Sequence, residues 1–251
     1  MSVGASTARF DALAKTSGQA EYPADRVPAD ALIAKVVFSG QAHARMTGLD
    51  TTAASAVPGV VAVITAADVP VNEYGLTKFD QPVLIGPSNA PSVSVETNVS
   101  RWEADKIAVI VAETADAAEA GSAALMVEWQ PLPLVPDIDS ARSDALLVHP
   151  EDETNTYYHL RIRRGDIELG WQQATVVVEG TYRLPYQEHA YLQPEAATAW
   201  IDEAGRVAVE VAGQWAHEDQ AQIAHSLDLD PSDVRVIWNG SPSPASQISV
   251  S

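Results

Sequence analysis

Acidic and imidazole side chains in the second half of the chain have the chemistry of metal ligands. The candidates are Glu188, His189, Glu195, His217 and Glu218. Their spacing does not match the short patterns that bring ligands to one ion, because no His-Glu-x-x-His or His-x-His pair occurs. His217 and His225 fall on one predicted helix, too far apart to share an ion easily. The pattern favours ordinary hydrogen-bonded or exposed groups, and a metal-dependent hydrolase built on Glu188, His189 and His217 is the third of three hypotheses for function.

Gln214 is a second candidate for chemistry, because Gly213-Gln214-Trp215 stands between a predicted strand end and a predicted helix start. Open α/β folds commonly present ligand-facing groups at such a place. A glutamine in a turn can equally serve to satisfy nearby backbone groups. The residues by themselves leave both interpretations open.

The remaining chemical signals are few. Arg161, Arg163 and Arg164 form a basic cluster that could hold a carboxylate or phosphate, or could pair with the acidic surroundings. No glycine-rich phosphate loop of the G-x-G-x-x-G or P-loop type occurs. The chain contains no cysteine, which excludes thiol nucleophiles, cysteine-bound zinc and iron–sulfur clusters held by its own thiolates.

Charge and hydropathy limit the classes of partner. The 15 Lys and Arg residues stand against 34 Asp and Glu residues, a net charge of −19, which repels phosphate backbones and anionic lipid headgroups. Nucleic-acid and membrane-surface binding are therefore not expected. No apolar run approaches the ~20 residues that cross a bilayer, and we expect a cytoplasmic protein.

The elements predicted in the first half alternate between strands and helices. Short β-branched runs predict buried strands over residues 31–38, 59–65 and 107–112. Asp50 is the expected N-cap of a helix over 51–57, and Thr114 that of a helix over 115–125. The proline-containing stretch 70–100 is predicted to be a long surface loop.

The second half is predicted to be rich in strands. Residues 175–184 form an extended Val, Thr and Tyr run, and 196–201 with 206–211 predict a hairpin with Gly205 in its turn. A helix over 216–227 and a strand over 234–238 follow. The fold class is therefore α+β (mixed α/β). A proline-rich stretch suggests domains at 1–130 and 158–238, a linker at 131–157, and a disordered tail at 239–251.

An ordered series of segments resembles the molybdenum-binding large subunit of xanthine dehydrogenase and aldehyde oxidase family enzymes. The segments are RFDALAKTSGQAEY at 9–22, HAR at 43–45, PGVVAVITAAD at 58–68, DKIAVIVAET at 105–114, RGDIE at 164–168 and EHAYLQPE at 188–195. The resemblance covers about residues 5–238. It implies an a/b hammerhead domain followed by the incomplete first part of a molybdopterin-binding domain.

The resemblance also implies a site and partners. In this family the turn matching Gly213 and Gln214 binds the molybdenum–molybdopterin cofactor, and its glutamine contacts the oxygen ligands of the molybdenum. A neutral amide can orient an oxo group without altering the charge of the metal. The implied reaction is hydroxylation of aldehydes or N-heterocycles with oxygen from water. Electrons would leave through iron–sulfur and flavin subunits, which agrees with the absence of cysteine.

The chain departs from the family after residue 238. The family continues into a glycine-rich G-G-x-F-G-G segment that wraps the cofactor, whereas this chain reads NGSPSP over 239–244. The catalytic glutamate of the family also lies beyond the region of resemblance, so no catalytic residue is assigned. We expect the chain to be inactive by itself. The second hypothesis is a non-catalytic truncated remnant or a protein-interaction module.

Overall fold

A computed structural model describes Gly4, Ser6, 11–76, 78–87, 96–185, Gln187, 196–213 and 215–238. The strands are β1 (Ile33–Phe38), β2 (Ala44–Asp50), β3 (Val60–Thr65), β4 (Val99–Ser100), β5 (Lys106–Ala112), β6 (Met126–Pro131), β7 (Ala197–Ile201), β8 (Val207–Val211) and β9 (Val234–Trp238). The α-helices are α1 (Ala12–Thr16), α2 (Thr52–Ser55), α3 (Ala115–Ala124), α4 (Ile138–Arg142), α5 (Ile167–Gln173) and α6 (Ala216–Ser226). The mixed α and β class is confirmed.

The nine strands named above form three sheets of three strands each. Their orders are β1-β5-β3, β4-β2-β6 and β7-β8-β9. The first two sheets are antiparallel, and in the third sheet β8 pairs antiparallel with β7 and parallel with β9. By contact density the chain divides into one unit combining Met1–Leu134 with Tyr191–Ser251 and another of Val135–Ala190. The domain and linker bounds given above stay predictions.

Two apolar clusters hold the first two sheets. Met46, Ile85 and Ile107 are buried together, with Val37, Leu49, Leu125, Val127 and Trp129 packed around them. Small residues of α3 form the second cluster against Ala112 and Val60. A Cβ at Gly121 would lie 2.9 Å from methyl groups of both Ile110 and Val60, so only glycine lets α3 approach β5 this closely.

Several local predictions are confirmed. Thr114 caps α3, its hydroxyl accepting a hydrogen bond from the Ala117 amide at 3.2 Å. The hairpin of β7 and β8 turns at Gly205, whose φ of +81° is the left-handed conformation that glycine tolerates. The strands β1, β3, β5 and β9 and the helix α6 also lie where they were predicted. The predicted burial is wrong for β1 and β3, in which no residue is fully buried, because each is an edge strand flanking β5 in this sheet.

Three local predictions need correction. The stretch 70–100 is not a surface loop throughout, since Asn72, Leu84 and Ile85 are buried. Residues 175–184 form no strand, because no strand that the structure describes runs beside them to supply hydrogen bonds. Thr51, not Asp50, is the N-cap of α2; Asp50 instead accepts a hydrogen bond from the Thr52 amide. The predicted tail 239–251 lies outside the described residues.

Candidate functional site

The turn between β8 and α6 is the centre of the candidate site. β8 ends at Val211 and α6 begins at Ala216, so the predicted strand end and helix start are confirmed. Gly213 is half-buried in this turn, Trp215 is exposed, and Gln214 lies outside the described residues. Since β8 and β9 are parallel, their carboxyl ends meet at the same edge of the sheet as the turn. This is the edge at which open α/β sheets bind ligands.

The first turn of α6 adds two carboxyl groups beside this turn. One oxygen of Asp219 is fully buried and finds no hydrogen-bond partner among the described residues, although the residue as a whole is partly exposed. Burial raises the pKa of Asp219, and the neighbouring Glu218 charge raises it further. The helix dipole, by contrast, favours an anion at this position.

An open cleft of about 380 Å³ lies beside α6. It is lined by Arg206, Ala216, His217, Gln220, Ser232, Val234, Arg235 and Val236. Arg206 is held by Asp202 at 2.8 Å, and the Gln220 amide donates to the carbonyls of Pro231 and Val234. Much of the polar lining is therefore committed to contacts within the sheet and its turns, which favours a structural role for the cleft.

The residues of the metal-site hypothesis are not brought together. His217 is exposed in the first turn of α6, whereas His225 lies in its last turn and contacts Glu73. Glu188, His189 and Glu195 lie outside the described residues. Among the residues that the structure does describe, no group of three or more His, Asp or Glu side chains could hold a metal ion. The hydrolase hypothesis gains no support from this geometry.

The basic cluster Arg161, Arg163 and Arg164 is exposed and lies outside any helix or strand. These arginines belong to the compact unit of Val135–Ala190, not to the unit that contains the turn at Gly213. Over the described parts of the chain, no helix has the length and apolar character needed to cross a membrane.

Two contacts that the sequence did not predict reach the elements flanking the turn. Arg26 approaches the buried carboxylate of Glu210 in β8 at 3.7 Å, and Glu73 accepts a hydrogen bond from His225 in α6 at 2.9 Å. Glu210 carried a usable signal, because a lone acid inside the apolar run 207–211 predicts a buried, paired charge. No sequence signal marked Glu73 as a functional residue, because it follows Asn72 in a stretch without apolar periodicity.

A molybdenum–molybdopterin cofactor fits the position of the turn better than it fits the surrounding charge. The shared edge of β8 and β9 would present a ligand to the backbone around Gly213. Glu218 and Asp219 follow at once and disfavour a phosphate-bearing ligand at close range. If the cofactor binds here, the described residues would hold only one side of it, and further donors would have to come from other segments.

Comparison with known proteins identifies both halves of the chain. Residues 17–133 match the family model "Aldehyde oxidase and xanthine dehydrogenase, a/b hammerhead domain". Residues 148–240 match the model "Molybdopterin cofactor-binding domain". The candidate turn at Gly213 lies within the second match.

Individual relatives agree with these matches. The nicotinate dehydrogenase large molybdopterin subunit of Eubacterium barkeri is 31% identical over 237 residues, 94% of this chain and 53% of that protein. The xanthine dehydrogenase molybdenum-binding subunit of Escherichia coli O157:H7 is 27% identical over 230 residues, 91% of this chain and 30% of that protein. The aldehyde oxidoreductase structure from Desulfovibrio gigas superposes with a TM-score of 0.79 at 26% identity, covering 92% of this chain and 26% of that one.

The chain thus spans about half or less of the length of these relatives. Within that span the two domain matches follow one another in the order that the sequence resemblance implies. The chain belongs to the aldehyde oxidase and xanthine dehydrogenase family, and it corresponds to an N-terminal part of the molybdenum-binding large subunit.

Proposed function

We propose that this chain supplies the hammerhead domain and the first cofactor-binding turn of a molybdenum hydroxylase. The enzyme would hydroxylate aldehydes or N-heterocycles with oxygen derived from water. The observation that carries the proposal is the position of the turn, at the shared edge of the parallel strands β8 and β9 and inside the region that matches the cofactor-binding family. This edge is where a ligand can reach backbone and amide donors at once.

The side chain of Gln214 is proposed to orient the cofactor. Its amide offers two donors and one acceptor and carries no charge, so it can hold an oxygen ligand without changing the charge of the metal. Gly213 leaves room for close approach of the backbone, because it has no Cβ. When bound, the cofactor supplies the redox-active metal centre that accepts the electrons of the substrate.

The remaining parts of the enzyme are proposed to come from outside this chain. No cysteine is available for an iron–sulfur cluster, so we propose that iron–sulfur and flavin subunits carry the electrons away. The anionic character of the first turn of α6 calls for additional cationic or neutral donors around the phosphate of the cofactor. The 251-residue chain by itself is therefore proposed to be inactive.

The test compares two preparations from a host that synthesises the cofactor. The first is this chain alone, and the second is this chain produced together with the portion of the Escherichia coli protein that it does not match. Molybdenum per chain is measured by mass spectrometry, and turnover is measured by dye reduction with aldehydes and purines. We expect no stoichiometric molybdenum and no turnover from the chain alone, and molybdenum with turnover from the pair.

Variants make the outcome specific to the turn. In the active pair, Gln214→Ala should lower turnover about 10–100-fold, the usual cost of losing a group that orients a metal ligand. Gln172→Ala on the exposed surface of α5 is the matched control and should leave turnover unchanged. Turnover by the chain alone would contradict the proposed incompleteness. Association of the pair without molybdenum would favour an interaction module, and stoichiometric zinc would favour the hydrolase.

A further inference from the structure

Within the first domain, residues 71–76 and 78–85 follow β3 and form a loop held by internal hydrogen bonds, termed the hammerhead loop below. Asn72 is fully buried, and its side-chain amide both donates to the Leu84 carbonyl and accepts from the Leu84 amide, each at 2.9 Å. Tyr74 and Gln81 exchange backbone hydrogen bonds across the same loop. The loop is therefore a rigid support for whatever packs against it.

The last turn of α6 packs against this loop. The backbone amide of Val71 donates to the Ser226 carbonyl at 3.1 Å, which satisfies one of the carbonyls that a helix leaves free at its end. The Ser226 hydroxyl donates to the Glu73 carbonyl at 3.3 Å. His225 donates through Nε2 to the Glu73 carboxylate at 2.9 Å. The first domain thus caps a helix that belongs to the cofactor-binding region.

The contact between the loop and α6 includes a buried charged group. Glu73 is only 7% exposed, and a buried carboxylate is costly unless a donor faces it. His225 is that donor, and its ring also lies 4.7 Å from the ring of Phe79 between centroids. Removing His225 would leave the buried Glu73 carboxylate without its donor, and removing Glu73 would take away the contact that holds the last turn of α6 to the loop.

A second contact reaches β8, on the other side of the turn. Arg26 follows the short 3-10 helix Pro23–Asp25, and its guanidinium lies 3.7 Å from the carboxylate of Glu210. Glu210 is buried in β8, three residues before Gly213. Arg26 is also oriented by Glu21 at 3.0 Å. The first domain therefore contacts both β8 and α6, the two elements that the turn at 213–215 connects.

We propose that Glu73 and Arg26 of the hammerhead domain are positioning residues for the turn at 213–215. α6 has 11 residues and is about 16 Å long, so a shift of its capped end moves the opposite end, where the turn begins. Arg26 contacts β8, the strand that precedes the turn, through Glu210. The identity of the ligand that meets the turn rests on the proposed function, whereas the coupling between the domains does not.

The test uses the full chain labelled with 5-fluorotryptophan, in which Trp215 marks the turn and Trp129 in β6 marks the first domain. The resonance of Trp215 is assigned with Trp215→Phe. Glu73→Ala and His225→Ala should shift the ¹⁹F resonance of Trp215 and raise amide exchange in α6 about 10-fold or more, because a charged hydrogen bond is lost. Glu73→Gln should restore much of both signals, since its amide oxygen still accepts from His225.

Controls separate positioning from general loss of stability. Glu203→Ala in the exposed hairpin turn should change neither signal, and Trp129 with the amides of α3 should stay as in the unmodified chain. If Glu73→Ala also raises exchange in α3, Arg26→Gln decides, because that side chain is half exposed and its loss leaves the core intact. A Trp215 resonance that does not move in Arg26→Gln, or faster exchange in α6 without a shift of Trp215, would overturn the proposal. Neither readout requires molybdenum, so failure of the proposed function would be seen separately.

Discussion

The sheet β1-β5-β3 and residues 157–185 contain the same kinds of side chain but differ in burial and in strand formation. In the sheet, Ile110 is fully buried beneath α3. In the second region Val178 is 86% and Tyr182 is 87% exposed, and the chain from 174 to 185 has no strand. Strand propensity is thus not enough: β-branched residues form a strand only when a neighbouring strand supplies hydrogen bonds and a packed face.

The difference lies in the partners that each region finds. β5 is paired along both edges, with β1 through Val36 and Val109 and with β3 through Ile64 and Val109. Residues 174–185 have no paired strand among those that the structure describes. An exposed apolar run without a paired strand gains little free energy from burial. Its local opening should therefore cost much less free energy than opening of the sheet.

The largest expected difference is in proteolysis. Trypsin should cleave after Arg161, Arg163 or Arg164 on the order of 10³-fold faster than after Lys106 in β5, because opening a packed strand costs about 5 kcal/mol or more. Time-resolved mass spectrometry of the digest measures both rates. Replacing the three arginines by glutamine should slow the first cut, and an early cut after Lys106 would contradict the expected difference in stability.

Core truncation should show the next largest effect. Ile110→Ala is expected to lower the free energy of unfolding by about 2–5 kcal/mol, since the side chain is fully buried. Val178→Ala in the exposed region should change it by less than about 0.5 kcal/mol. Urea unfolding followed by circular dichroism measures both. Equal losses would mean that Val178 is packed in solution.

Two helical glycines, one in each region, should respond differently to substitution. Gly121→Ala places a Cβ 2.9 Å from Ile110 and Val60, so overpacking should outweigh the gain in helix propensity by about 1 kcal/mol. Gly170→Ala in α5 meets nothing within 4 Å and should raise local helicity without loss of stability. The melting temperatures of the two variants should move in opposite directions. A stabilising Gly121→Ala would contradict the close packing of α3.

Neutralising Asp219 should have the smallest effect on stability. This residue is an exception within the packed unit, because burial disfavours its charge. Its raised pKa means that the folded state holds the proton more tightly than the unfolded state does. The contribution of protonated Asp219 to folding stability is therefore fully present below pH 3.8, the ordinary pKa of the carboxyl group. It is lost as the pH rises through the pKa of the folded state. At pH 7 Asp219→Asn should stabilise the chain slightly, because partial exposure screens much of the penalty, and the gain should fade toward pH 3.8.

The matched control for this prediction is Asp116→Asn. Asp116 is exposed in the first turn of α3, where the helix dipole favours its charge. Its neutralisation should cost a few tenths of a kcal/mol at pH 7, opposite in sign to the change at Asp219. Equal signs in thermal melts at pH 7 would show that burial does not dominate at Asp219.

The candidate site divides in the same manner between local and distant information. The position of the turn at Gly213 was predictable, because a strand end followed by a helix start is visible within a short stretch of sequence. The contacts of Glu73 with His225 and of Arg26 with Glu210 were not, since each joins residues more than 150 positions apart. No local pattern specifies which distant group will meet a buried carboxylate.

Features with local signals could be predicted from the sequence: the Thr114 cap of α3, the left-handed turn at Gly205, and the family to which the chain belongs. The strand at Ala44–Asp50, and the absence of a strand at 175–184, became evident only from the folded chain. The former has little strand pattern but lies between β4 and β6, whereas the latter has the pattern but no paired strand among the described residues. The physical reason is that strand hydrogen bonds and burial are supplied by residues distant in sequence, while caps and turns are completed by their neighbours.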